Sequence, residues 1–187
     1  MRLFAALRRP IEEGAADTLY RSIVKQSRQP EFYSECGVPD TPDGRYDMIV
    51  AHVVLILRRL RRAPSNTKDL AQALFDLMFA DMDQNLREMG VGDLAVGKRV
   101  RAMAKAFYGR LAAYDAALSN GDDDALRSAL RRNLFRNATP TPGQVAAVAS
   151  YMRREAARLD SEPIDLLAAG GLRFGLAPDR SERERND

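Results

Sequence analysis

One cysteine, one histidine and no tryptophan stand in a chain of 187 residues. Cys36 alone can neither close an intramolecular disulfide nor build a cysteine zinc site, and it fits a reducing compartment. His52 alone cannot supply the paired Glu-x-x-His motifs of a di-metal helical bundle, and residue 49, where the glutamate would stand, is isoleucine. Any histidine-dependent hydrolase triad would have to use this one residue from inside an apolar segment. Long apolar runs are missing too. The longest, from Met48 to Leu57, is broken by His52 and falls short of the roughly 20 residues that span a bilayer. The opening MRLFAALRRP has no secretory apolar core, so export is not expected. Charge of one sign is weak: 29 Lys and Arg against 26 Asp and Glu give net +3, too mild for a whole-chain nucleic-acid binder, and no DNA is expected as partner.

What the sequence does have is helical periodicity, with no strand-like alternation bounded by hairpin turns. The expectation is an all-α, single-domain bundle of six to seven helices: an N-terminal segment 1–13, a helical domain 14–177 and a disordered polar tail 178–187. A first helix spans about 14–28. Pro30 opens a short helical turn through Phe32 and Tyr33 that Gly37 ends. VPDTPDG follows as a stiff connector, since Pro39 and Pro42 each remove a backbone donor, and Asp40 or Asp43 is placed to cap the helix carrying His52. From Arg45 to Arg62 the chain is apolar nearly all round, so neighbours must surround it. A helix over about 67–89 carries Leu70, Leu74, Met78, Met82, Leu86 and Met89 on one face. The next, ending near Ser119, turns Val100, Met103, Phe107, Leu111, Tyr114 and Leu118 inward. GDDD at 121–124 offers N-cap carboxylates, and TPGQ at 141–144 is a capping box.

Candidate chemistry thins out on inspection. His52 reads as a packed core residue with one hydrogen bond. Asp76 and Asp83 share a helix face, yet no matching acidic helix appears, so a solvated or ion-paired face is expected in place of a magnesium pair. The glycines of GVGDLAVG follow a helix and miss the phosphate-loop spacing. No catalytic residue, cofactor or metal site is expected.

Charge is nevertheless uneven. Residues 63–95 hold two basic and six acidic residues, whereas residues 96–110 hold five cations, Lys98, Arg99, Arg101, Lys105 and Arg110, and no acid. At about 100° per residue Lys98, Arg101 and Lys105 project opposite the inward stripe. These five are the candidate residues for an anionic partner.

FYSECGVPDTPDGRYDMIVAH, then FADMDQNLREMGVGDLAVGKRV, then AFYGR, in that order, resemble the ubiquinol-cytochrome c chaperone family. The likeness is strong over about 19–118. Its pattern matches Phe32, Tyr33, Gly37, Pro39, Asp40, Gly44, Arg45, Asp81, Asp83, Arg87, Glu88, Gly92, Asp93, Gly97 and Lys98. The resemblance implies a non-enzymatic, all-helical assembly factor for the cytochrome bc1 complex (complex III) that brings no catalytic residues with it. Mitochondrial relatives act with a small partner near the ribosomal exit tunnel and hold new cytochrome b. Because the family-like block starts near Leu19, with little room for a transit peptide, this chain looks like a bacterial member. It is expected to work in the cytoplasm, at or near the cytoplasmic face of the inner membrane, with cytochrome b or other bc1 assembly components as partners and the ribosome or the membrane surface as further contacts. The alternative is a helical RNA-contacting module that uses the basic stripe at 98–105 and is indifferent to cytochrome b.

Overall fold

The computed structural model describes residues 2–63 and 67–178, with side chains from residue 13 onward. Among these, eight α-helices and one π-helical turn form a bundle without strands: α1 Arg2–Ser27, α2 Glu31–Ser34, α3 Pro42–Arg61, α4 Lys68–Glu88, α5 Asp93–Asn120, α6 Asp123–Leu130, the turn Arg131–Phe135, α7 Pro142–Ser161 and α8 Ile164–Ala168. The all-α expectation therefore holds.

α3 is the axis. Val50, Val53, Val54 and Ile56 are wholly buried, as a helix apolar on every side requires, and α1, α4, α5 and α7 pack around it. The connector ends earlier than the proline pattern suggests, because Pro42 takes the first helical position, where its missing donor costs nothing. The cap is neither Asp40 nor Asp43. Thr41 Oγ1 accepts from the Gly44 amide at 3.1 Å, while Asp40 pairs with Arg45 at 2.6 Å and Asp43 with Arg136 at 3.0 Å. The capping box at Thr141 and Gln144 forms as expected, with both reciprocal bonds present. Asp122 caps α6 by accepting from the Ala125 amide at 2.9 Å.

Three bounds differ from the sequence expectation. α1 reaches back to Arg2. α5 starts at Asp93 and absorbs Gly97, since a helix tolerates an interior glycine at a cost of only about 1 kcal/mol. The expected tail does not begin at 178: residues 171–178, without regular secondary structure, form a strap against α1, α3 and α7, and Pro178 is buried. The remainder of the expected tail, 179–187, lies outside the described residues.

Candidate functional site

The family-like residues fall into two groups. The first builds the elbow between α2 and α3. Phe32 is fully buried, its ring edge-on to His52 at 5.6 Å and to Tyr151 at 5.0 Å. Tyr33 donates to the Ser27 carbonyl at 2.7 Å, and its partial burial raises the pKa of its hydroxyl. Gly37 has φ +68° and lies against the Gln144 side chain. Gly44 tolerates nothing larger, because a Cβ there would sit 2.0 Å from the Pro39 carbonyl oxygen. Tyr33, Asp40 and Arg45 emerge on one side, where with Arg28 they line an open polar cleft.

The second group builds the α4–α5 hairpin. Asp81 accepts from the Tyr20 hydroxyl at 2.6 Å, and burial, reinforced by that bond, raises the Tyr20 pKa. Arg87 bridges Asp83, at 2.6 Å, and Asp93 across the bend, while Glu88 accepts from Gln84 at 2.9 Å. Asp76 accepts from Gln72 at 2.7 Å, so Asp76 and Asp83 each have a partner of their own. Gly92 starts α5 and accepts from the Ala95 amide at 2.8 Å.

Of the five candidate cations, Lys98, Arg99, Arg101 and Lys105 are exposed and make no ion pair among the described residues. Arg110 does not belong with them. It is buried and reaches Asp47 at 3.0 Å, because at 100° per residue position 110 points toward the Phe107 and Tyr114 side of α5. Below Tyr108 an apolar groove of about 440 Å³ opens between α4 and α5, over the end of α3. Phe75, Phe107 and Leu111 form its floor, with the Phe75 ring 5.6 Å from Tyr108. Met89 is 56 % exposed, contrary to the inward place expected for it, because it stands just past the last turn of α4.

Two polar centres lie inside the bundle. His52 is buried with both ring nitrogens occupied. Nδ1 lies 2.8 Å from the Met48 carbonyl, which can only accept, so Nδ1 carries the hydrogen and Nε2 accepts from the Tyr151 hydroxyl at 2.9 Å. Gln26 donates to the same hydroxyl at 3.0 Å and to the Gly175 carbonyl at 2.9 Å, tying α1, α3, α7 and the strap together. The expected single hydrogen bond of His52 is thus two, and burial pushes its pKa down to about 4, so the ring stays neutral.

Asp47 is the other centre. It is 1 % exposed and meets Arg110 at 3.0 Å and Arg136 Nη2 at 3.0 Å, yet burial outweighs both guanidiniums and pushes its carboxyl up to about 6. Arg136 reaches it from φ +50°, the only positive φ outside glycine among the described residues. The sequence signal for Asp47 was available: between Tyr46 and Leu57 it is the one charged residue in an otherwise apolar stretch, and an acid buried there must find a cation. RRLRR at the end of α3 is likewise a clamp. Arg58 pairs with Asp115 at 3.4 Å and Asp160 at 2.9 Å, and Arg59 donates to the Leu159 and Glu162 carbonyls at 2.8 and 2.9 Å, satisfying the end of α7.

No group of three or more His, Cys, Asp or Glu is arranged to hold a metal ion, and no helix is long and apolar enough to cross a membrane, among the described residues. Comparison with known proteins gives a consistent picture. Residues 34–174 match the family described as ubiquinol-cytochrome C chaperone. Ubiquinol-cytochrome c reductase complex assembly factor 1 of Mus musculus is 30 % identical over 161 residues, covering 86 % of this chain and 54 % of that protein. The Homo sapiens protein of the same name is 29 % identical over 157 residues, covering 83 % and 52 %. The chain thus spans about half the length of these relatives. The crystal structure of the Cbp3 homolog from Brucella abortus superposes with a TM-score of 0.83 at 36 % identity, over 95 % of this chain and 98 % of that one.

Proposed function

Because the chain belongs to the ubiquinol-cytochrome c chaperone family, we propose that it is a non-enzymatic assembly factor for ubiquinol-cytochrome c reductase, holding cytochrome b before the bc1 complex is complete. The observation that carries this is the extent of the family match, from the elbow at residue 34 to the strap at residue 174, so that it takes in α3, the hairpin, α7 and both buried polar centres. The surface supports a holder. Its open features are an apolar groove under an aromatic rim and a run of cations without counter-charges, which suit a polypeptide or a surface better than a reaction. The buried groups that could do chemistry are committed to one another: His52 to Met48 and Tyr151, Asp47 to two arginines. On this proposal the protein works in the cytoplasm at the face of the inner membrane, where cytochrome b is inserted.

The test is a strain lacking this protein, examined by haem b absorbance and native-gel separation of respiratory complexes. The expected outcome is loss of assembled bc1 complex and of cytochrome b, with other respiratory complexes intact. Normal haem b under respiratory growth would refute the proposal.

A further inference from the structure

The outward face of α5 combines exposed apolar side chains with a line of cations that make no ion pair among the described residues. At 100° per residue Leu94, Lys98, Arg101, Lys105 and Tyr108 all fall within about 40° of one line, which runs about 21 Å along the helix at 1.5 Å per residue. Leu94 is 98 % exposed at one end and Tyr108 57 % exposed at the other. The three cations between them have no counter-charge among the described residues. Asp93, the acid beside Leu94, is turned to Arg87 across the bend, so it does not neutralise the line. Met89, at the end of α4, is a second exposed apolar side chain at the same bend.

A solvated face accounts for the cations but not for a leucine standing almost entirely in water at the tip of a hairpin. An RNA backbone would use the cations and could stack on Tyr108, yet it too has no use for Leu94 and Met89. A flat anionic surface with an apolar layer beneath its charges uses every part. Cations in a straight line on a convex helix can rest together on a plane, aliphatic residues at the tip can enter the layer below, and a tyrosine suits the boundary between the two.

We propose that this face of α5 seats the protein on an anionic bilayer, with Lys98, Arg101 and Lys105 on lipid phosphates and Leu94 and Met89 entering the interface. The proposal rests on the membrane-side placement above and names the surface responsible for it.

It is tested by sedimenting the purified full-length protein with vesicles of phosphatidylcholine alone or of phosphatidylcholine mixed with phosphatidylglycerol. The parent is expected to pellet with the anionic vesicles and to be released by salt. Charge reversal at all three positions, K98E/R101E/K105E, should weaken partitioning about a hundredfold. Leu94→Ser should weaken it about tenfold while leaving the salt dependence unchanged. Circular dichroism melts matching the parent establish that each variant is folded. Parent protein that ignores anionic vesicles, or a folded triple variant that pellets equally well, overturns the proposal. So does salt-sensitive binding of the stripe to a single-stranded RNA oligonucleotide in place of vesicles. The vesicle result judges this surface alone, while haem b in the deletion strain judges the assembly role, so the two failures are separable.

Discussion

Arg58 of α3 and Arg101 of α5 are the same side chain in opposite settings. Arg58 is 5 % exposed between Asp115 and Asp160, whereas Arg101 stands in solvent with no acid beside it. Every buried charge of α3 is matched from another helix: Arg58 from α5 and α7, Asp47 from α5 and from the end of the π-helical turn. A buried ion pair contributes little over an apolar pair of similar shape, but removing one partner strands the other and is costly. An exposed cation can be removed at almost no cost to the fold, so its electrostatic attraction is available to something outside the molecule. The inward, paired charges thus serve stability, while the outward cations of α5 are left for the association proposed above.

The sharpest way to break that contrast is at Asp47. Asp47→Ala leaves Arg110 and part of Arg136 without a counter-charge and is expected to cost about 3 kcal/mol in urea unfolding. Adding Arg110→Met should restore much of the loss, since an apolar side chain of similar reach replaces the stranded cation. Destabilisation that the second substitution deepens would mean that Arg110 serves the fold independently of Asp47.

His52 sharpens the comparison through pH. Its two hydrogen bonds and its ring contacts with Phe32 and Phe174 predict a loss of about 2 kcal/mol for His52→Gln at pH 7.5. Burial lowers the folded-state pKa to about 4 from an ordinary 6.5. Protons therefore bind the unfolded chain first as pH falls. The stability His52 contributes is whole above about pH 6.5 and shrinks toward pH 4, by about 3 kcal/mol in total. Asp47, raised to about 6, acts the other way: its contribution is whole at low pH and is lost as pH rises through 6. Asp47 is present in both proteins, so the difference between parent and His52→Gln isolates the histidine. That difference should narrow or invert between pH 7.5 and pH 4.5. A constant difference would show that the ring is not excluded from protons in the fold.

One substitution made at two glycines completes the comparison and includes its smallest effect. A Cβ on Gly44 would meet the Pro39 carbonyl at 2.0 Å, whereas around Gly97 nothing lies within 4 Å. Gly44→Ala should destabilise by about 2 kcal/mol by forcing the elbow open, and Gly97→Ala should stabilise by about 1 kcal/mol through helix propensity alone. Thermal melts of the two variants check the opposite signs.

Much of the fold was legible because one period dominates the sequence. The all-round apolar stretch of α3, the inward stripe of α5 and the TPGQ box each carry a local signature. The elbow was legible as a short helical turn ended by Gly37 and a proline connector, but the close packing at Gly44 and Gly37 appears only in three dimensions. Arg110 was misplaced because it was grouped by its place in a basic block, when its helical angle sets it beside Phe107. Asp47 and the RRLRR clamp were missed because their partners lie 57 or more residues away, at Arg110, Arg136, Asp115, Asp160 and Leu159. The strap at 171–178 gave no signal because a segment without regular secondary structure has neither helical periodicity nor a pairing strand.

That strap has a consequence for the order in which the molecule can be completed. Phe174 lies edge-on to His52 at 5.0 Å, Gly175 donates to Glu155 at 3.0 Å and accepts from Gln26, and a Cβ at residue 175 would come within 2.6 Å of the Glu155 carboxylate. The centre of the bundle is therefore closed by one of the last parts of the described chain to be synthesised. Without the strap, His52 lacks its contact with the Phe174 ring and Gln26 lacks one of its two acceptors. A chain cut after α8 is therefore expected to keep its helices while losing the contacts that tie the first of them to the third and seventh.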